Sequence, residues 1–266
     1  MQIIKVPGIN GLGKTKGCEK AGNEILTTLK EIYSNEQEKP IDVKLLDLEE
    51  IHLDNGNLEL TNKLIYENAL EAYDKNRVIF LGGDHSISFS IVKAFLKHSR
   101  VIGKEPCLIV FDSHPDCMKP VKGFPTHEEW LRGLIEEGFP SENVLLVGVR
   151  NSYVDELKFI SENKIKIIKV NQILENLEET SEVIMEFANK KELYLSIDVD
   201  VVDPAFAPGT GYKEPGGLTS RQLIYIIQRM NKMKNLKAID IVEINPSLDK
   251  DNLTVKLGAK ILAELL

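Results

Sequence analysis

The chain has 266 residues, of which 42% are hydrophobic and 28% are charged. This composition excludes intrinsic disorder and collagen-like repeats, because it offers enough apolar surface to offset the conformational entropy of the chain. Lys and Arg total 33 against 41 Asp and Glu, a net charge of -8. That charge disfavours binding to nucleic acid or to an anionic membrane, and it favours a small cationic ligand.

Targeting signals and disulfides are not predicted. The sequence has no basic segment leading into an apolar one at its N-terminus and no apolar stretch long enough to span a membrane, so we expect a cytoplasmic protein. Three cysteines, Cys18, Cys107 and Cys117, are too few and too unevenly spaced for a disulfide framework. We expect them to be reduced thiols.

Short apolar runs alternate with amphipathic segments along the whole chain. The runs predict strands at 2–6, 42–47, 77–82, 106–112, 143–149, 165–170, 192–198 and 236–244. The segments between them predict helices near 20–33, 58–75, 86–98, 127–138, 153–163, 178–189, 219–231 and 251–264. Such alternation is typical of βαβ units, so we predict a three-layer α/β/α fold with a central, mostly parallel sheet of about eight strands. No repeat or linker divides the chain, and we expect one catalytic domain over residues 1–266.

Polar side chains follow three of the predicted strands. In open parallel sheets, ligands bind beyond the carboxyl ends of the strands, so these side chains should meet at one rim. On extended backbone, residues two and four positions apart point the same way. The side chains are His85 after the third strand, Asp112, His114 and Asp116 after the fourth, and Asp198 and Asp200 after the seventh.

This combination of carboxylates and imidazoles predicts a pair of metal ions. Four crowded carboxylates would raise one another's pKa unless cations lie between them, and four negative charges balance two divalent ions. Oxygen and imidazole ligands suit Mn²⁺ better than Zn²⁺, which favours thiolates. Any single Asp could instead cap a helix or form a turn, but burying the whole set without cations would be costly. His52 and His98 have no carboxylate pattern around them, and we expect both at the surface.

With these residues in place, the chain resembles the ureohydrolases, the arginase and agmatinase family. The shared motifs occur in the family's order and are GGDHS at 82–86, DSHPD at 112–116, SIDVDVVDPAFAPGTG at 196–211, GGLT at 216–219 and EINP at 243–246. Ser113 is a departure, because the family usually has Ala there. The resemblance implies the arginase-like form of the fold, assembly into trimers or hexamers, and hydrolysis of a guanidino compound to urea and an amine.

The resemblance also implies how two Mn²⁺ ions would be bound, with Ni²⁺ or Co²⁺ as substitutes. One ion would be held by His85, Asp112, Asp116 and Asp198, and the other by His114, Asp112, Asp198 and Asp200. Asp112 and Asp198 would then bridge the two ions, which together would activate a water near neutral pH.

Further catalytic roles follow from the same resemblance. His127 matches the proton shuttle to the leaving nitrogen, Glu243 matches the carboxylate that receives the guanidinium, and Asp116 would be catalytic as well as a ligand. An ion pair between Glu243 and Arg150 is the alternative for that carboxylate.

The residues around His127 also carry a local signal. Thr126 to Glu129 has the form of a capping box, so we expect His127 to open a helix whose N-terminus lowers its pKa. Glu128 and Glu129 would then be residues of the first helical turn.

The segment between Asp116 and His127 reads CMKPVKGFPT and lacks the polar side chains with which arginases hold the amino and carboxylate groups of arginine. Agmatine, or another guanidino compound without an α-amino acid head, is therefore the preferred substrate. Arginase and formiminoglutamase activities are the alternatives within the family. The family normally has Gly where this chain has Glu128, which is a further departure.

A loop rich in Gly and Pro at 202–217 is long for a compact domain, so we expect it to line the pocket. Tyr212 is our candidate contact to the substrate. Lys213 and Glu214 could contact the substrate tail or simply be solvated.

A rival function of another class comes from GINGLGKT at Gly8 to Thr15, which matches the nucleotide-binding P-loop pattern after a predicted strand. The run CLIVFD at 107–112 could pass for the second motif of such proteins. A P-loop helix should begin at about Lys14, whereas Gly17 is a poor residue for a helix interior. A degenerate, non-enzymatic metal-binding scaffold is a third alternative, although all six proposed ligands are present.

Overall fold

A computed structural model describes residues 1–75, 77–121 and 123–266. Within these ranges the strands are β1 (Gln2–Val6), β2 (Asp47–Glu50), β3 (Val78–Gly82), β4 (Pro106–Phe111), β5 (Val144–Val147), β6 (Lys166–Ile168), β7 (Glu192–Asp198) and β8 (Leu236–Val242). The helices are α1 (Ala21–Leu29), α2 (Leu58–Ala72), α3 (Ile87–Val101), α4 (Trp130–Glu136), α5 (Val154–Glu162), α6 (Val170–Glu175), α7 (Leu177–Phe187), α8 (Ser220–Met230) and α9 (Leu253–Leu265).

The strands form one parallel sheet in the order β2-β1-β3-β8-β7-β4-β5-β6. Side chains alternate between its faces, so Ile79 and Leu81 of β3 join one apolar core while Val78 and Phe80 join the other. The first core is covered by α1 and α6 to α9, and the second by α2 to α5. The predicted three-layer α/β/α fold is confirmed.

Two elements at the margins of the sheet differ from their predictions. The strand expected at 42–47 is replaced by a 3-10 turn at Val43–Leu45, which the Asp42 carboxylate caps by accepting from the Lys44 backbone N–H at 2.9 Å. The strand, β2, follows this turn and is exposed along its whole length. Helix α6, which we did not predict, follows β6 directly.

The expectation that His98 lies at the surface is wrong. Its side chain is buried on α3, with its ring centroid 5.6 Å from that of Tyr73. Helix α3 is covered on most sides, so even a polar position in its last turns faces the core. His52 is exposed, as predicted.

Other features bear on cysteine chemistry and on membranes. Cys18, Cys107 and Cys117 are buried free thiols, as predicted. In the part of the chain that the structure describes, no helix combines the length and apolar character needed to cross a membrane.

Candidate metal centre

Four neighbouring strands at the middle of the sheet supply the candidate site. In the order β3, β8, β7 and β4, their carboxyl ends are followed or closed by His85, Glu243, Asp198 and Asp112. All four side chains are at least nine-tenths buried. The predicted convergence of strand ends on one rim is therefore found in the structure.

The first group of ligand atoms surrounds His85. Its Nδ1 atom lies 3.1 Å from Asp112 Oδ2, 3.0 Å from Asp116 Oδ2 and 3.2 Å from Asp198 Oδ2. Among the described residues, neither His85 Nδ1 nor Asp112 Oδ2 has a hydrogen-bond partner, although both atoms are buried. Leaving such atoms unpaired costs about 1–3 kcal/mol each, so their convergence fits a bound cation.

The second group surrounds His114, whose Nδ1 atom lies 2.9 Å from Asp200 Oδ2 and 3.6 Å from Asp112 Oδ1. Asp112 contributes to both groups. Ser113, where the family usually has Ala, donates its backbone N–H to Asp200 Oδ1 at 2.9 Å. Its hydroxyl lies 3.0 Å from His114 Nδ1. The departure therefore adds a hydroxyl beside His114 Nδ1 that Ala would not provide.

The carboxylates repel one another, as predicted for a crowded set. Burial raises the pKa of Asp198, and the charges of Asp200 and Asp112 raise it further. Burial and Asp112 likewise raise the pKa of Asp116 to about 7. Burial alone would also raise the pKa of Asp112, but two neighbouring imidazoles lower it instead. The site thus concentrates negative charge that divalent cations would neutralise.

Two of the site residues have unusual backbone conformations. Asp116 has a backbone φ of 50° and Glu243 has a φ of 63°, in the left-handed region that residues other than Gly rarely adopt. Trp130 helps to hold Asp116 by donating its indole N–H to Oδ2 at 2.8 Å. Such conformations cluster at functional sites, where the surrounding structure enforces them.

Glu243 is held beside His127. Its Oε1 atom accepts the backbone N–H of His85 at 3.0 Å and lies 3.2 Å from His127 Nδ1. The alternative ion pair with Arg150 is wrong, because Arg150 donates to backbone carbonyls, including those of Asp200 and Glu214.

The expectations for the local structure and the pKa of His127 are both wrong. Helix α4 begins at Trp130, so His127 lies in the preceding turn, outside the first turn of the helix. Only one capping-box bond forms, from the Thr126 backbone N–H to the Glu129 carboxylate at 2.9 Å. Burial would lower the pKa of His127, but the carboxylate of Glu243 raises it to about 9.

The loop predicted to line the pocket does so. Tyr212 and Glu214 line the same cavity as His127 and Glu243, whereas Lys213 is exposed. The ring centroid of Tyr212 lies 5.1 Å from that of His127.

Sequence reasoning missed a hydrogen-bond network behind His85. The Nε2 atom of His85 lies 2.9 Å from the hydroxyl of Ser196, which donates to buried Asp240 at 2.7 Å. Ser88 and Tyr194 also donate to Asp240, each at 2.7 Å. The available signal was Asp240 itself, a charged residue within the apolar run predicted as the last strand.

The P-loop interpretation of Gly8 to Thr15 is wrong. A P-loop helix would begin at about Lys14, but the segment continues as loop and α1 begins only at Ala21. The backbone N–H of Asn10 in this loop donates to the Asp84 carboxylate at 2.8 Å. An acidic residue therefore occupies a donor that a nucleotide phosphate would need.

The comparisons with known proteins agree with this geometry. The family model described as Arginase family matches residues 1–266. An agmatinase of Bacillus subtilis (strain 168) is 32% identical over 230 residues, which are 85% of this chain and 75% of that protein. An arginase of Staphylococcus aureus (strain MRSA252) is 28% identical over 302 residues, covering 98% of this chain and 97% of the relative.

The fold is also that of a solved relative. The crystal structure of formimidoylglutamase from Bacillus subtilis subsp. subtilis str. 168 superposes with a TM-score of 0.88 at 25% identity, covering 99% of this chain and 85% of that one. The chain belongs to the arginase family, whose members are binuclear metal-dependent hydrolases of guanidino or amidino C–N bonds.

Proposed function

We propose that this protein is a manganese amidinohydrolase that cleaves agmatine, or a related guanidino compound without an α-amino acid head, to urea and an amine. The main support for this function is that two groups of candidate metal-ligand atoms lie beside Glu243 and His127 in one cavity. Cations, a receptor for the guanidinium and a proton donor would then act on the same bound molecule.

The ligand atoms support manganese as the resident ion. His85, Asp112, Asp116 and Asp198 would hold one ion, and His114, Asp112 and Asp200 the other, with Asp198 shared between the two ions as the family resemblance implies. The donors are carboxylate oxygens and imidazole nitrogens, a set that suits Mn²⁺, and Ni²⁺ or Co²⁺ as substitutes. The nearby Cys117 thiol donates to the Pro115 carbonyl at 3.1 Å and is not part of the set. Two ions held there would lower the pKa of a bound water enough to supply hydroxide near neutral pH.

Glu243 and His127 would orient the substrate and move a proton. Oε1 of Glu243 is engaged by His85 and His127, while the one contact of Oε2 among the described residues is the Cys18 sulfur, 4.0 Å away. That oxygen can accept an N–H of the planar guanidinium. The Glu243 carboxylate raises the pKa of His127 and so favours the protonated imidazole, which would donate a proton to the nitrogen that leaves.

The cavity wall supports a substrate without an amino acid head. Of the segment between Asp116 and His127, Met118 lines the cavity, and its thioether cannot hold a carboxylate. Lys122 of that segment lies outside the described residues. Glu128 and Glu214 line the wall as well and would repel the two carboxylates of formiminoglutamate.

Product release across a substrate panel tests the proposal. Arginine, agmatine, guanidinobutyrate, guanidinopropionate and guanidine would be assayed for urea, and formiminoglutamate for formamide, with Mn²⁺ and Ni²⁺ compared. We expect the highest kcat/KM for agmatine with Mn²⁺ and none after removal of metal by a chelator. A preference for arginine or formiminoglutamate would contradict the substrate assignment, and activity in the chelated protein would contradict the metal assignment.

A further inference from the structure

The wall of the cavity carries two carboxylates whose nearest basic groups are the imidazoles of His114 and His127. Glu128 and Glu214 both line it, and each side chain is 28% exposed. Among the described residues, none of those lining the cavity is Lys or Arg. The wall therefore favours a ligand that carries positive charge at its tail as well as at its guanidinium.

Glu128 and Glu214 differ in how far their carboxylates are engaged. Glu214 accepts from the Asn151 side chain at 2.7 Å and lies 3.5 Å from His114 Nε2. The Glu128 carboxylate makes no hydrogen bond to any described residue, and its ionic contact is His127 Nε2 at 4.0 Å. Its backbone is nevertheless fixed, since the Glu128 carbonyl accepts from the Met118 N–H at 3.0 Å. A fixed backbone thus presents a carboxylate with no committed partner.

An independent observation on His127 points to a ligand at this place. The His127 side chain is only 7% exposed, and within the described ranges its buried Nε2 atom has no hydrogen-bond partner. Its ring lines the cavity, with Nδ1 3.2 Å from Glu243 and Nε2 4.0 Å from Glu128. A buried nitrogen without a partner is costly, so the geometry anticipates a molecule that lies along the ring between the two carboxylates.

We propose that Glu128 binds a primary ammonium at the far end of the substrate and so selects guanidino compounds derived from diamines over those with neutral or acidic tails. This inference rests on the proposed function, in which Glu243 receives the guanidinium. One imidazole ring and its contacts separate the two carboxylates, a span that a short aliphatic chain covers. The ring of Tyr212, 5.1 Å from that of His127, closes one side against the methylene groups of such a chain.

The test compares Glu128→Gln with wild type on three substrates that differ in the charge of the tail, of which guanidinobutyrate is also one methylene shorter. Agmatine ends in an ammonium, pentylguanidine has a methyl group in its place, and guanidinobutyrate ends in a carboxylate. We expect Glu128→Gln to lower kcat/KM for agmatine by about tenfold or more, the usual worth of a charge-assisted hydrogen bond. The value for pentylguanidine should change less than about twofold, and that for guanidinobutyrate should rise.

A matched control and a binding measurement separate this inference from the proposed function. Glu162→Gln removes the same charge from a side chain 62% exposed on α5 and should leave all three substrates unaffected. Calorimetry with putrescine measures recognition of the ammonium without turnover, and putrescine should bind more weakly to Glu128→Gln than to wild type or Glu162→Gln. Equal losses for agmatine and pentylguanidine, or unchanged agmatine kinetics and putrescine affinity, would overturn the role of Glu128. Failure of wild type to hydrolyse any guanidino compound would overturn the proposed function, while the diamine binding would still decide the role of Glu128.

Discussion

The floor and the wall of the cavity are built in different ways. The floor consists of side chains at the ends of central strands, such as His85, Asp112 and Asp198, all almost fully buried. Backbone N–H groups orient them, as when Asp198 Oδ1 accepts from the Asp200 N–H at 2.8 Å. The wall comes from the segments between elements and includes Glu128, whose side chain is partly exposed.

This difference separates the chemistry from the choice of substrate. A strand end cannot shift without disturbing a sheet that is covered on both faces, so the floor is tied to the fold. The wall depends on a few side-chain contacts across loops, which can change without cost to the core. We therefore expect substitutions in the floor to abolish reaction and metal binding, and substitutions in the wall to redistribute substrate preference.

Asp198→Ala should have the largest effect. Asp198 would serve both ions, so the variant should lose both and its turnover should fall by about 10⁴-fold or more, because metal-ion catalysis supplies several kcal/mol. Elemental analysis and product release measure the two losses. Asp47→Ala, which changes a carboxylate 56% exposed on β2, is the control. Retention of one tightly bound ion by Asp198→Ala would show that this carboxylate does not bridge.

His127 and Glu243 lie in contact where the floor meets the wall. Their interaction should make the free energy of unfolding depend on pH. Glu243 raises the pKa of His127 from 6.5 to about 9 in the folded protein. The stabilisation is therefore fully present below pH 6.5 and is lost as the pH rises through about 9, a change of about 3 kcal/mol. Urea unfolding of metal-free wild type and His127→Asn across this window measures it. The same pH dependence in both proteins would contradict the contribution of the pair.

The fold could be predicted where strands are buried on both faces. The apolar runs of β3, β4 and β7 predict strands from sequence alone, because strands covered on both faces bury nearly every residue in succession. Strand β2 reads DLEE and is exposed throughout, so its place depends on pairing with β1, which its composition does not reveal. Helix α6 is six residues long and too short for a periodic pattern.

The candidate site also has a part that the sequence predicts and a part that it does not. The ligand residues could be found because their spacing is local, as with Asp198 and Asp200 two positions apart. The contact of Ser196 with Asp240 could not be predicted, because it depends on the register that pairs these two residues across β7 and β8. The position of His127 depends likewise on where α4 begins, and the capping signal placed that start too early. Local spacing thus identified the candidate ligand residues, while tertiary pairing decided which residues support them.

Asp240→Asn should weaken metal binding while leaving the sheet intact. Asp240 accepts from Ser196, which in turn contacts the Nε2 atom of His85, so it acts through Ser196 to fix the orientation of that ring. Loss of such support behind a metal ligand costs about 10–100-fold in metal affinity. Calorimetric titration with Mn²⁺ measures the change, and thermal unfolding of the metal-free variant checks its fold. An affinity within about twofold of wild type would show that the ring is held without Asp240.

Arg150→Lys should have the smallest effect on activity. It tests whether Arg150 supports the floor or the wall of the cavity. The guanidinium donates to the backbone carbonyls of Asp200, Val201 and Glu214, and so joins the end of the floor to the loop of the wall. Lysine lacks the planar fork needed to reach all three, and we expect KM to rise by about fivefold, worth about 1 kcal/mol. Steady-state kinetics and elemental analysis on the same preparation separate the two regions, because loosening of the loop raises KM and spares metal content. Loss of an ion with KM unchanged would instead place Arg150 with the floor, since its bond to the Asp200 carbonyl would then be the one that matters.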